Sequence, residues 1–164
     1  MNFKTPDLCD AFERELGKTL RVVAPMFKHY GARTSFCGHI VTLKLFEDNA
    51  LVRTTFGEDG KGKVLVIDGG GSIRCALVGD QLAALANKNS WEGVIVYGCI
   101  RDSVEVNMVD IGVLALDTHP QRSLKKGAGE RDLTVTFGGV SFNPGDYLYA
   151  DEDGVLVSNR ELHR

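Results

Sequence analysis

Asp80, Arg101 and Asp102 are the residues whose types and spacing could do chemistry. Gly79-Asp80 is followed, after twenty intervening residues, by two adjacent opposite charges at the end of an apolar run, GVIVYGCI. Core strands seldom finish in two opposite charges unless those charges meet water, each other or a ligand. Arg101 offers a planar cation able to grip a carboxylate through two hydrogen bonds. Asp102 offers a hard oxygen ligand, and one or two carboxylates plus waters is the usual way of holding magnesium. With Asp80 as the cap of a following helix, the free amides of Gln81 and Leu82 point at the same mouth, a ready site for a carboxylate. Glu105 lies three residues past Asp102, one helical turn on and on the same face. The competing reading is a surface ion pair, which contributes little.

Such side chains need parallel strands to carry them. KVLVID (63–68) and GVIVYG (93–98) are continuous apolar runs of the buried-strand type, HIVTLKL (39–45) alternates, and 113–116 makes a further strand. Helices are expected from Asp7 to about Leu16 with Thr5 or Asp7 as cap, over 50–55, over 72–78, over 80–88, and in a short stretch reaching Val109. That alternation implies a parallel sheet with right-handed crossovers, and ligands of such sheets collect beyond the carboxyl ends of the strands. Residues 123–129 read as a loop, and the segment after it alternates between turn residues as antiparallel β. The expectation is one α/β domain over residues 1–164, with a central parallel βαβ region and antiparallel C-terminal strands.

Two look-alikes are set aside. DGGGS (68–72) follows a strand, but a dinucleotide fingerprint starting at Gly69 would need glycine where Arg74 stands, and no phosphate-loop G-K-[ST] occurs. The glycines instead mark a tight turn needing positive φ, or a close backbone approach. Asp110 and Arg131-Asp132 repeat the D-x20-R-D interval, but Asp110 precedes a strand, lacks a glycine before it, and Val135 stands where the first copy has Glu105.

A chain of 164 residues, 43% apolar and 25% charged, suits one compact domain. A net charge of −3 gives no basic field to hold nucleic acid or an anionic membrane. No apolar stretch reaches the roughly 18 residues of a membrane helix, and MNFKTPDLCD carries acids where a signal peptide is apolar, so a soluble, cytoplasmic protein is expected. Cys9, Cys37, Cys75 and Cys99 form no C-x-x-C pair and read as small buried thiols; the four histidines show no metal-ligand spacing.

At TPDLCD (5–10), FCGHIVTLKLFEDNALV (36–52), KVLVIDGGGSIRCALVGD (63–80), WEGVIVYGCIRD (91–102) and TFGGVSFNPGDYLYADEDGVLVS (136–158), nearly the whole chain resembles one family. It is the regulator of ribonuclease activity A family, which includes class II 4-hydroxy-4-methyl-2-oxoglutarate aldolases. Some members are described as menaquinone-pathway methyltransferases, for which no cofactor motif is legible here. Members resembling aldolases carry G-D at a helix start, R-D twenty residues on and an acid three residues later; members described as ribonuclease regulators tend to lack the aspartate of the R-D pair. Gly79, Asp80, Arg101, Asp102 and Glu105 match the catalytic pattern.

The resemblance implies a β/β/α swivelling-type fold, assembled as a homotrimer or dimer of trimers with sites at subunit interfaces. It implies that Asp102 ligates magnesium or manganese directly, with Asp80 and Glu105 acting through water. Gly79, Asp80, Gln81, Leu82 and Arg101 would hold a small 2-oxo acid, with Arg101 and Asp80 as the catalytic side chains. The implied reactions are retro-aldol cleavage of 4-hydroxy-4-methyl-2-oxoglutarate to pyruvate and decarboxylation of oxaloacetate, through one metal-stabilised enolate. The alternative implied partner is ribonuclease E, bound as a protein and inhibited.

Overall fold

The apolar runs of the sequence become parallel neighbours. In the computed structural model, which describes residues 3–162, the chain begins with α1 (Thr5–Ala11), β1 (Leu20–Val22), β2 (Lys28–Tyr30), β3 (Phe36–Lys44), α2 (Ala50–Phe56) and β4 (Lys63–Asp68). It continues through β5 (Ala76–Val78), α3 (Asp80–Lys88), β6 (Gly93–Ile100), α4 (Ser103–Val106) and β7 (Gly112–Thr118). The last elements are β8 (Glu130–Arg131), β9 (Val135–Phe137), β10 (Val140–Phe142), β11 (Tyr147–Ala150) and β12 (Val155–Ser158). The main sheet runs β1-β12-β11-β3-β4-β6-β7-β2, and β3, β4, β6 and β7 pair in parallel. β9 and β10 form a separate antiparallel hairpin.

Period-two alternation assigns each strand residue to a layer. Leu65 and Ile67 of β4 face the helices, packing in one core with Phe56, Leu82, Ala86 and Trp91. Val64 and Val66 face the other way, in a core with Phe137 and Phe142 of the hairpin and Leu148 of β11. Both faces of the parallel strands are therefore covered, which is why these strands read as unbroken apolar runs. The expected mixed α/β fold is the one observed, with antiparallel pairing confined to the edges and the C-terminal part.

Four local expectations are corrected. Residues 72–78 do not form a helix: only 76–78 is regular, and it is strand β5, paired in parallel with β6. Ala76, Leu77 and Val78 are all buried, so their backbone polar groups need partners, and the edge of β6 supplies them. The first helix ends at Ala11 and gives way to a 3-10 turn at Glu13–Glu15, and α4 stops at Val106. Neither Thr5 nor Asp7 caps α1; the cap position is Lys4, without a side-chain cap bond.

Thr5 serves another purpose. Its amide and hydroxyl each donate to the Asp151 carboxylate at 2.6 Å, and the amides of Asp153 and Gly154 donate to the same group. Thr5 and Asp151 are both buried, so the N-terminal helix is tied to the β11–β12 turn through one carboxylate. Burial pushes the Asp151 carboxyl up, but the bonds from Thr5, Asp153 and Gly154 outweigh it and hold it below its ordinary value. A carboxyl lowered in the folded state contributes stability above its unfolded value, near pH 4, and loses it as pH falls through the folded value. Unfolding free energy measured against pH is therefore expected to decline below about pH 4 with a slope that Asp151→Asn flattens. An unchanged acid limb in that variant would contradict the assignment.

Candidate functional site

The strand that the sequence did not reveal is what assembles the site. Val78 pairs with Ile100 where β5 and β6 end, and the Arg101 amide donates to the Val78 carbonyl at 2.9 Å. Gly79-Asp80 and Arg101-Asp102 thus leave the sheet side by side at the carboxyl ends of two parallel strands. They share a pocket of about 190 Å³ lined by Gly79, Asp80, Gln81, Leu82, Arg101 and Asp102, and by Asn49, Arg53, Arg122 and Lys125.

Asp102 adopts the left-handed conformation, φ 55° and ψ 43°, as the N-cap residue of α4. That region is sparsely populated by residues other than glycine, though Asp and Asn tolerate it best, and such strain concentrates at functional positions. The turn sends the carboxylate back toward α3, where Oδ2 accepts the Asp80 amide at 3.3 Å. Gly79 makes the approach possible, because a Cβ there would lie 2.7 Å from Asp102 Oδ2. Asp102 therefore supplies from a neighbouring segment the acceptor that the start of α3 lacks.

Asp80 is the first helical residue, not the cap; Gly79 holds the cap position, with no side-chain cap bond. The Asp80 Oδ1 accepts the Gln81 amide at 2.8 Å. The first bond of the helical ladder runs from the Ala83 amide to the Gly79 carbonyl, so the Leu82 amide lies ahead of that ladder at the pocket wall. Arg101 Nε stands 3.9 Å from Asp102 Oδ2, with both side chains more than a third exposed. A contact that long and wet leaves the guanidinium fork free to take another anion.

Glu105 is brought less close. It sits exposed on α4 and is not part of the pocket lining. Among the described residues no three His, Cys, Asp or Glu side chains converge as a metal cluster. Asp80 and Asp102 are the pair of carboxylates in the pocket, a donor set that fits magnesium or manganese bound through one or two carboxylates and waters.

The set-aside motifs behave as structural features. Gly70 and Gly71 have φ of 68° and 71°, with the Gly70 amide donating to Asp68 Oδ1 at 2.9 Å, so DGGG is a turn built on two positive-φ glycines. It leads into β5 instead of a helix. Asp110 pairs with Arg33 and Arg131 with Glu58, away from the pocket. Cys37, Cys75 and Cys99 are buried and form no disulfide among the described residues, with Cys37 Sγ 3.6 Å from the Tyr147 hydroxyl, while Cys9 is half-buried.

Sequence reasoning missed Arg53, Arg122, Lys125 and Asn49, and with them Asp48. The Asp48 carboxylate, itself buried, accepts the amides of Ala50, Lys126, Gly127 and Ala128. Burial pushes its carboxyl up, but those four amides win and hold it below its ordinary value. The Asn49 amide donates to the Leu124 carbonyl, while its side chain donates to the Leu77 carbonyl and accepts Lys125 Nζ at 3.3 Å. Asp48 and Asn49 together pin residues 124–128 against the start of α2 and the end of β5. FEDN after an alternating strand was the available signal, and it reads only as punctuation.

A mixed sheet between a helix layer and a hairpin, with a polar pocket where two parallel strands end, defines an α/β domain of the aldolase/RraA type. The chain belongs to the RraA-like family, whose model, described as Aldolase/RraA, matches residues 5–157. A protein of Dechloromonas aromatica (strain RCB) named "Putative 4-hydroxy-4-methyl-2-oxoglutarate aldolase" is 76% identical over 162 residues, covering 99% of each chain. Among solved structures, one described as the S-adenosylmethionine: 2-dimethylmenaquinone methyltransferase from Geobacillus kaustophilus HTA426 has a TM-score of 0.93 at 48% identity, covering 98% of this chain and 97% of that one. The RNA-processing inhibitor RraA from Thermus thermophilis also has a TM-score of 0.93, at 43% identity, covering 99% of this chain and 96% of that one. Among the described residues no helix is long and apolar enough to cross a membrane.

Proposed function

We propose that the protein is a divalent-metal-dependent lyase that cleaves 4-hydroxy-4-methyl-2-oxoglutarate to pyruvate and decarboxylates oxaloacetate. One observation carries the reading: the left-handed turn at Asp102 aims a carboxylate at the start of α3, beside Asp80 and the free fork of Arg101. The name of the Dechloromonas relative supports the aldolase part.

Asp102 would hold magnesium or manganese directly, with Asp80 acting through water. Glu105, outside the pocket lining, would act through water alone. The bound cation would polarise the 2-keto group and offset the negative charge that develops on its oxygen. The chain's own residues do the rest. Gly79 leaves room at the turn, and the Leu82 amide with Arg101 receives the carboxylate and keto oxygen of the 2-oxo acid, joined by the Gln81 amide once it exchanges Asp80 Oδ1 for the substrate. A water held by Asp80 takes the proton of the 4-hydroxyl, the C3–C4 bond breaks, its electron pair moves into the keto group as the pyruvate enolate, and C4, now a ketone carbon, leaves as a second pyruvate. Arg101 stabilises that oxyanion, and protonation at C3 gives pyruvate. Oxaloacetate reaches the same enolate by losing carbon dioxide, so one site serves both. A homotrimer or dimer of trimers at cytoplasmic magnesium is part of the reading.

Pyruvate release by purified protein from both substrates, after subtraction of the metal-catalysed background, tests it. Release with magnesium is expected to exceed background and to vanish with chelator. The absence of any metal-dependent excess on either substrate would overturn the proposal.

The 43% identity to an RNA-processing inhibitor favours a second reading, a protein-binding regulator of ribonuclease E. In that case the acidic chain would capture a basic segment of the nuclease, so binding in a pull-down would be lost in high salt and survive chelator. Binding that ignores salt would argue against it.

A further inference from the structure

Beyond the carboxyl ends of β3 and β4 lies a second pocket, of about 560 Å³, which shares no lining residue with the one where β5 and β6 end. Its volume is that of a small-molecule site, and it lies where parallel sheets collect ligands. Lys44 and Asp68, the last residues of the two strands and partners in register, line it with Leu45, Phe46, Glu130 and Leu133. The proposed reaction uses none of them.

Asp68 is only half accounted for by the fold. A carboxylate is seldom buried without a partner, because leaving water costs more than one hydrogen bond returns, and Asp68 is only 9% exposed. Its Oδ1 accepts the Gly70 amide at 2.9 Å and closes the DGGG turn, but among the described residues its Oδ2 accepts no hydrogen bond. Lys44, beside it across the strands, is exposed and forms no ion pair with it. Arg74, 5.9 Å over the Phe46 ring, is already bound to Glu47 at 2.6 Å. Two acids against one lysine leave the lining with one negative charge. Apolar walls surround it: Leu45 is buried, while Phe46 and Leu133 are 57% and 38% exposed and gain by being covered. Gly70, at φ 68°, keeps the aromatic wall close, since a Cβ there would lie 2.9 Å from Phe46 Cδ2.

We infer that this pocket binds a small organic monocation, a protonated primary amine on an apolar stem. The ammonium donates to Asp68 Oδ2, a charge-assisted bond in a partly dry place, and the stem covers Phe46 and Leu133. An anion would be repelled by Asp68, and an uncharged alcohol would answer the acceptor without answering its charge. The inference stands apart from the lyase reading, because none of these residues lines the catalytic pocket.

Titration of the isotope-labelled full chain near neutral pH, followed through its amide NMR signals, tests this with hexylamine, methylamine and hexanol. Hexylamine is expected to shift the amides of Gly70, Ala128 and Gly129, which line the pocket, and to bind at least about tenfold more tightly than either other probe. Methylamine lacks the stem and hexanol the charge. Asp68→Asn keeps an oxygen for the Gly70 amide, and so the turn, but is expected to erase the preference over hexanol. Phe46→Ala, at an exposed wall, is expected to narrow the preference over methylamine by about threefold or more. Nα-acetyl-lysine methylamide presents the same head as a protein side chain does, and weaker binding than hexylamine is expected. Equal or tighter binding of that probe would assign the pocket to a protein lysine and overturn the small-molecule reading. A wild type that treats hexylamine and hexanol alike, a preference that Asp68→Asn leaves intact, or the absence of shifts at the three amides overturns the site altogether.

Discussion

Asp102→Asn is expected to remove metal-dependent pyruvate release, by at least about a hundredfold, while the protein stays folded. The substitution separates charge from shape. Asparagine keeps an oxygen that can accept the Asp80 amide, and it tolerates the left-handed backbone better than other residues, so both the link to α3 and the turn at φ 55° survive. What is lost is the anionic oxygen that a hard divalent cation requires. Thermal midpoints of variant and wild type should therefore agree, and manganese binding followed by electron paramagnetic resonance should weaken together with the rate. A variant that keeps most of its activity would mean that Asp102 is an internal cap and nothing more. Loss of rate with full manganese affinity would move the ligand role elsewhere.

That experiment turns on a residue whose candidacy was legible in the sequence, whereas the reason for its position was not. GVIVYG followed by Arg101-Asp102 announces a buried strand ending in charge, because a strand covered on both faces must be apolar throughout. Ala76-Leu77-Val78 gives no such signal. Three apolar residues inside SIRCALV suit a helix as well as a strand, and the pairing that decides between them comes from β6, distant in sequence. Without β5, Gly79-Asp80 and Arg101-Asp102 are only a spacing, one that Asp110 and Arg131-Asp132 repeat without forming a pocket. The polar edge strand Lys28–Tyr30 was missed for a related reason: with its side chains largely exposed, the pattern KHY carries no alternation, and only its pairing to β7 makes it a strand. Arg53, Arg122 and Lys125 were invisible because each belongs to a segment that reads as ordinary surface. Their meaning lies in convergence, which the clamps at Asp48 and Asn49 produce in three dimensions.

Arg101→Lys is the second substitution expected to have a large effect, and it tests geometry with charge held constant. Both side chains carry a positive charge, but lysine lacks the planar fork that can face a carboxylate and the keto oxygen together. If Arg101 stabilises the enolate, kcat/KM should fall by roughly 10²- to 10³-fold, with kcat carrying most of the loss because the oxyanion exists only in the reaction. If it merely attracted the substrate, lysine would substitute well and the loss would appear chiefly as a higher KM. The 3.9 Å contact between Arg101 and Asp102 predicts a further distinction. An exposed pair of that length contributes little, so manganese affinity should stay within about fivefold of wild type. Asp102→Asn and Arg101→Lys should thus both lower turnover by about a hundredfold or more and yet separate in metal binding. Two variants that lost metal and activity together would mean that the adjacent charges act as one electrostatic unit instead of dividing the work between cation and oxyanion.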